Sequence, residues 1–298
     1  MYLTVKKASQ KWKISENEIL NLIKNHQIFG YVKQSDDYLI PIDLDNPLEL
    51  KNANLLDLID QKLKIIQSLK PLDEKLNQKI LEEFLINYTY DTNAIENSPL
   101  SLEQTRLILS KDIYDENIVY EYYLDAIGNK QAFEYMTELL NDNLKLNIKI
   151  IKDLHYFVLK SKKLDAGVFR KIPVSILNSA HTPVQPYLIE PKLEQLLEGY
   201  FNSNDHIIKK IAKFHLDFES IHPFIDGNGR TGRLLINYQL MRNGYYPIDI
   251  KFENRNLYYQ AFDDYHQKND LSTMTKLIAN FELLRLNFYI RTLKENNI

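Results

Sequence analysis

A chain of 298 residues with 44% hydrophobic side chains can bury a full core and make one large domain plus a small one. Its formal net charge of −3 argues against a strongly basic, generic nucleic-acid binder, and zero cysteines exclude a disulfide framework and a thiolate metal site while fitting a reducing compartment. No apolar run approaches membrane-spanning length, and the start, Met1-Tyr2-Leu3-Thr4-Val5-Lys6-Lys7, has no continuous apolar core, so a cytoplasmic protein with no membrane partner is expected.

The first predicted element is a helix spaced by Val5, Ala8 and Trp12. Ser15 with Glu18 makes a capping box for a second, residues 16–25, which carries Ile19, Leu22 and Ile23 inward. Segments 28–32 and 38–40 then flank Lys33-Gln34-Ser35-Asp36-Asp37, which suits a short β-hairpin. Helix, turn, helix and wing resemble an excisionase or MerR-like winged helix-turn-helix, so residues 1–45 are expected to form a separate small module. That resemblance implies DNA as a partner, but the charge pattern points elsewhere. Six lysines (6, 7, 11, 13, 24, 33) are balanced by six acids (16, 18, 36, 37, 43, 45). Phosphate attraction dominates DNA affinity, so a neutral module should bind duplex weakly unless dimerisation doubles its contacts. DNA binding, a protein contact and a homo-oligomer all stay open here.

Asn46-Pro47-Leu48 reads as the link to the remainder, residues 46–298. Leu55, Leu58, Ile59, Leu63, Ile66 and Leu69 keep a helical period, Pro71 interrupts it, and residues 80–88 resume it. Thr92 and Glu96 are four apart and share one face of a helix expected at about 86–98, which Pro99 prevents from running far beyond Ser98. Ser101 and Gln104 form a capping box for the next helix. The rest is predicted helical at 118–141, 148–160, 193–202, 205–221, 230–243 ending at Gly244, 256–267 and 271–293.

The stretch from His222 to Arg233, His-Pro-Phe-Ile-Asp-Gly-Asn-Gly-Arg-Thr-Gly-Arg, packs a base, an acid, a flexible turn and two guanidiniums together. A glycine-rich turn lets backbone N–H groups point at an anion, and a helix starting there adds the positive end of its dipole. Arg230 and Arg233 are three apart, so they are expected to grip one polyphosphate from the same side. His222 can take a proton near neutral pH, and Asp226 is a hard oxygen ligand suited to Mg²⁺. Gly227, Gly229 and Gly232 also satisfy G-x-G-x-x-G, but that fingerprint requires a strand before it. Here Ile208, Ile211, Ala212, His215 and Phe218 repeat at helical spacing. The Walker pattern fails because no Gly-Lys-Ser/Thr follows. An ordinary helix N-terminus with a glycine turn and a core histidine is the remaining alternative.

At these residues the chain resembles the Fic family, whose signature H-x-F-x-(D/E)-G-N-G-R-x-x-R is matched at every specified position. The resemblance implies a mainly α fold, a Fic-type helical core with a short β-hairpin flap, that transfers AMP from ATP to a Ser, Thr or Tyr hydroxyl of a target protein with Mg²⁺ or Mn²⁺. Carried over, His222 is the general base and Asp226 holds the metal. Asn228, Gly229 and Arg230 line the anion hole, Arg233 grips the γ-phosphate, and Gly227, Thr231 and Gly232 belong to the same nucleotide-binding loop. Gly167-Val168-Phe169-Arg170 with Val174, Ser175, Ile176 and Leu177 resembles the flap that pairs with a target segment; a Pro-studded surface loop is the alternative. Tyr258 and Tyr259 sit where family members place aromatic residues against adenine, although helix-face packing suits them equally. His215 lies seven residues before His222, yet no third ligand stands at a suitable spacing, so a packed core histidine is expected.

Thr92-Asn93-Ala94-Ile95-Glu96-Asn97 matches the family's inhibitory pattern (S/T)-x-x-x-E-(G/N). Its place before the catalytic motif resembles the class in which a helix of the same chain inhibits, the Glu96 carboxylate taking the Arg233 guanidinium that ATP needs. In bifunctional relatives such a glutamate also holds a water for AMP removal. Asn97-Ser98 stands where many members have Gly-Asn. The other function class is a nucleotide-sensing DNA-binding or adaptor protein built on the same core, and the fate of labelled ATP separates the two.

Overall fold

The computed structural model describes residues 1–296 except 36, 52, 112, 114, 115 and 177–180. Helices α1 (Val5–Trp12) and α2 (Glu16–Lys24) begin on Thr4 and Ser15, whose hydroxyls accept from the N–H groups of Lys7 and Glu18 at 3.3 and 3.1 Å. Their inward residues close on Ile28, Tyr31, Ile40 and Leu44 in a small core of their own. Strands β1 (Tyr2–Thr4), β2 (Val32–Gln34) and β3 (Asp37–Pro41) form an antiparallel sheet in the order β1-β3-β2, with Leu3 opposite Ile40 and Lys33 opposite Tyr38. The hairpin therefore starts later than 28–32. Ile28, Phe29 and Tyr31 are all buried, which is no strand alternation, and Gly30 turns the chain at φ 70° before β2 begins. Arg291 clasps the Asp43 carboxylate at 2.7 and 3.0 Å, and Asn287 donates to Asp43 O and Asp45 Oδ2, fastening this part to the remainder.

The expected link carries a short helix, α3 (Pro47–Leu50), capped by Asn46. Then follow α4 (Leu55–Ser68), α5 (Glu74–Ile95), α6 (Leu102–Lys111), α7 (Tyr120–Asn141), α8 (Ile148–Val158), α9 (Ile189–Asn202), α10 (Ile207–Ile221), α11 (Asn228–Arg242), α12 (Arg255–Lys268) and α13 (Ser272–Asn296). α4 lies along α13, and α11 runs through the middle against α5, α7, α8 and α10. Leu234, Leu235, Ile236, Tyr238 and Leu240 of α11 are all essentially buried, each worth roughly 1.5–3 kcal/mol of transfer free energy. No described helix is long and apolar enough to cross a membrane.

Two expectations need correction. α5 is one continuous helix starting on its Asp73 cap, not a segment at about 86–98, and it stops at Ile95, leaving Glu96 as its C-cap at φ −90° and Asn97 left-handed at φ 66°. The apolar period fades because the last two turns bury Thr89, Asp91, Thr92 and Asn93. Asp91 accepts from Lys251 Nζ and Phe252 N, both at 2.9 Å, and Asn93 accepts from Asn129 at 2.8 Å. The expected flap hairpin is also missing among the described residues. Val174, Ser175 and Ile176 carry no strand pairing, Leu177 lies outside the described residues, and Pro173 has no N–H to give a ladder.

Candidate active site

α10 ends at Ile221, and His222 caps it in the left-handed region (φ 50°, ψ 62°) with its N–H on Phe218 O at 3.0 Å. A non-glycine residue held there costs on the order of 1 kcal/mol or more, so the surroundings must impose it. Arg170 does much of this. Buried at 2% exposure, its guanidinium donates to the carbonyls of His222 (2.8 Å), Ile172 (3.0 Å), Val184 (2.5 Å) and Ile221 (3.3 Å), and its N–H to Pro223 O at 3.0 Å.

The loop that follows is braced from two sides. Asn228 accepts from Phe224 N at 3.0 Å and donates to Phe224 O at 2.9 Å, so its side chain shapes the loop. The ring of His155 stacks on Phe224 at 3.5 Å and 4°. Gly167 N donates to its Nδ1 at 2.9 Å, which leaves the proton on Nε2 to bond Asp226 O, also at 2.9 Å. Burial pushes the His155 imidazole down to about 4, outweighing the help of that carbonyl. Gly227, at φ 75°, is the N-cap of α11 and offers no side chain. The first N–H groups of a helix have no partner within it, so those of α11 are left facing this loop with the positive end of its dipole.

The inhibitory pattern meets this helix end directly. Arg233, 3% exposed, donates from Nε to Thr92 Oγ1 at 2.8 Å and from one terminal nitrogen to Thr92 O (2.9 Å) and Glu96 Oε1 (2.7 Å). Its other terminal nitrogen donates to Tyr258 Oη at 3.2 Å. Burial works against the charge, but Tyr258 and Glu96 hold the guanidinium above its ordinary value. Gly229 makes the approach possible, since a Cβ there would stand 2.2 Å from Glu96 Oε1. The helix bearing Glu96 is seated again where Tyr259 Oη donates to Ile95 O at 2.9 Å.

Other expected nucleotide contacts lie elsewhere. Tyr258 is 2% exposed beneath Arg233 and touches His215 Nε2 at 2.9 Å, so it holds the arginine and presents no face to an adenine; Tyr259 is 45% exposed. Thr231 is fully buried, and a Cβ on Gly232 would meet Glu219 Oε1 at 2.5 Å, so both serve the packing of α11 on α10. The two arginines do not share a partner. Arg230 pairs with Asp125 of α7 at 2.8 Å and stands 3.7 Å from Asp226. Asp226 itself accepts from Lys162 Nζ at 2.7 Å and Gly227 N at 2.6 Å. Burial would raise its carboxyl, but Lys162, Arg230 and that N–H together hold it below the usual carboxylate range.

His222 keeps an 18% exposed side chain, with Nδ1 turned inward 3.8 Å from Glu219 Oε2. Burial drives the imidazole down to about 4, outweighing the help of a hydrogen bond to the Glu219 main chain, with the charge of Arg170 in the same direction as burial and those of Glu96 and Asp226 opposing. It is therefore neutral at pH 7 and able to accept a proton. Lys162, His155, Arg170, Asp125 and Glu219 carried no signal in the motif; only Glu219, one turn before His222 on a predicted helix, was within reach of spacing.

Residues 145–240 match the family model described as Fic/DOC family. The chain carries a Fic/DOC domain. Over 239 residues it is 30% identical to the protein adenylyltransferase Fic of Drosophila ananassae, covering 79% of this chain and 47% of the relative. With that of Drosophila grimshawi it shares 28% over 256 residues, 80% of this chain and 51% of the relative. The chain thus spans about half the length of the curated relatives it matches. Among solved structures, residues 134–508 of Fic-1 from C. elegans superpose with a TM-score of 0.73 at 25% identity over 84% of this chain and 74% of that one. A Fic domain containing signaling protein from Bacteroides thetaiotaomicron shares the fold, with a TM-score of 0.74 at 22% identity over 81% and 97% of the two chains. In this chain the Fic/DOC match spans α8, α9, α10 and nearly all of α11, while Glu96 and Tyr258 reach it from outside.

Proposed function

We propose that the chain is an autoinhibited protein adenylyltransferase that moves AMP from ATP to a hydroxyl of a target protein. The observation that carries the reading is the Glu96–Arg233 contact at 2.7 Å, set on the glycine-capped start of α11 beside a neutral His222. His222 takes the proton of the target hydroxyl as its oxygen bonds the α-phosphorus; the bond to the β-phosphate breaks and pyrophosphate leaves. The N–H groups of Gly229 and Arg230 and the α11 dipole face the phosphates, and Arg233 holds the γ-phosphate once Glu96 withdraws. Asp226, 40% exposed at its side chain, suits Mg²⁺ or Mn²⁺, because its hard carboxylate oxygens would hold such an ion. Such an ion would neutralise phosphate charge, with Lys162 giving way to it. Residues 174–176, half-buried to exposed without a strand partner, would take an extended target segment as an added strand. Residues 1–45 are read as a separate module fastened through Asp43.

The test is radiolabelled AMP incorporation at equal protein concentration. Glu96→Gly is expected to label itself well above wild type, Glu96→Gly/Arg233→Ala to fall silent, and Glu96→Gly/His222→Ala to bind ATP without transfer, because the phosphate grip lies outside His222. Equal labelling of wild type and Glu96→Gly by folded, ATP-binding protein would sink the autoinhibition. ATP binding with no transfer by any variant would favour nucleotide sensing.

A further inference from the structure

Behind His222 lies a row of buried polar atoms that make no side-chain hydrogen bond among the described residues, His222 Nδ1, Glu219 Oε1 and His215 Nδ1, with the Glu219 main chain beside the His222 ring and the Gly232 main chain beside that of His215. The three residues are spaced i, i+4 and i+7 on and just beyond α10, so they share one face. Glu219 Oε2 stands 3.8 Å from His222 Nδ1. Gly232 of the facing helix leaves room for them, since a Cβ there would come within 2.5 Å of Glu219 Oε1 and 2.9 Å of His215 Nδ1. The far end of the row is oriented. Arg233 donates to Tyr258 Oη, so the phenol gives its own proton to His215 Nε2. A neutral His215 must then carry its proton on Nδ1, the nitrogen that shares the space over Gly232 with Glu219 Oε1.

Buried polar groups normally have partners, and a buried carboxylate whose Oε1 bonds nothing among the described residues, one turn behind a base, is an arrangement that packing alone does not require. We propose that Glu219 is the positioning residue of the base: its main chain holds the His222 proton on Nδ1 and leaves Nε2 bare toward the substrate hydroxyl, and its carboxylate, 3.8 Å from Nδ1, is the counter-charge when Nε2 takes that proton. This rests on the adenylyltransferase reading. The proton leaves the hydroxyl for Nε2, the Nδ1 proton stays, and the imidazolium faces the carboxylate. The ionised form of Glu219 is the competent one. Burial pushes its carboxyl up to about 8, with the charge of Glu96 in the same direction and Arg233 opposing. The groups facing the row are His215 and His222 beside it, Glu96 from the end of α5, Arg233 from α11, Tyr258 from α12, Arg170 beyond His222, and Asp226 in the loop. Loss of Glu96 therefore frees Arg233 and also eases ionisation of Glu219.

Two readouts test this on the full chain. In the Glu96→Gly background, kcat should rise with pH as Glu219 ionises, with the inflection below 8 because Glu96 is gone. Adding Glu219→Gln should lower kcat roughly 100-fold, leave KM for ATP within about two-fold, and abolish the inflection, while Glu219→Asp recovers part of the rate. Without nucleotide, the ¹⁵N shifts of the His222 ring in wild type should report the Nδ1–H tautomer and move again near pH 8; in Glu219→Gln the second movement should vanish. Identical ring titrations in wild type and Glu219→Gln, or an unchanged pH profile of kcat, overturns the proposal. Should Glu219→Gln fail to fold, Glu219→Ala carries the same comparison. If no variant transfers AMP, the adenylyltransferase reading fails, and the ring titration still decides the pairing.

Discussion

His155 is bound at both ring nitrogens and pressed flat on Phe224, so it can stay in place only while neutral. Its folded pKa of about 4 lies below the ordinary 6.5, so the unfolded chain takes up a proton first as the pH falls. The contribution of this histidine is therefore complete above 6.5 and fades between 6.5 and 4, by on the order of 3 kcal/mol. His155→Gln is accordingly expected to be clearly less stable than wild type in urea at pH 7.5 and much closer to it at pH 4.5, where both proteins share every other titration. A stability gap that does not change between those two pH values refutes a neutral, doubly bonded His155. The same residue shows why single positions were hard to read: a lone histidine at 155 has no spacing relation to Asp226, 71 residues away, and only the crossing of α8 under the loop creates one.

At the scale of elements, what was legible was what is contiguous. His222 to Arg233 holds a helix end, a turn and a helix start in one stretch, so charge and glycine pattern sufficed there. Where a helix turns its polar residues inward the pattern failed: Thr89, Asp91, Thr92 and Asn93 are polar by type and buried by place, so the end of α5 looked looser than it is. Lys162, Arg170 and Asp125 reach the site from separate segments, and hydropathy carries no signal for such convergence. The glycines of α11 and α9 make the contrast measurable. Gly232→Ala forces a methyl to within 2.5 Å of Glu219 and 2.8 Å of His215, both buried, and is expected to cost about 1–3 kcal/mol. Gly199→Ala, in a helix where a Cβ meets no described atom within 4 Å, is expected to stabilise by about 0.5–1 kcal/mol. Thermal unfolding of the two variants checks both signs; a neutral Gly232→Ala would mean that α10 and α11 are not in close contact there.

For the whole molecule, the exposed face of α2 presents Glu16, Asn17, Glu18, Asn21 and Lys24, two acids against one base. Random duplex DNA is expected to bind no tighter than about 10⁻⁶ M at physiological salt, and an anisotropy titration giving tighter, salt-sensitive binding would overturn that expectation. The rest of the molecule is organised around a meeting of helix ends. The C-terminal end of α5, with Glu96 on it, abuts the N-terminal end of α11, where Arg233 lies. On the proposed reading a tethered anion and a dissolved one then contend for a single guanidinium. A tether acts as an effective concentration, in the millimolar range even for short flexible linkers, so the outcome is a ratio and not an absolute block. The resting rate becomes a continuous function of how firmly α5 sits on Lys251, Asn129 and Tyr259. A substitution that loosens that seat by about 1.4 kcal/mol is read out as a tenfold higher resting rate, although it touches neither nucleotide nor target.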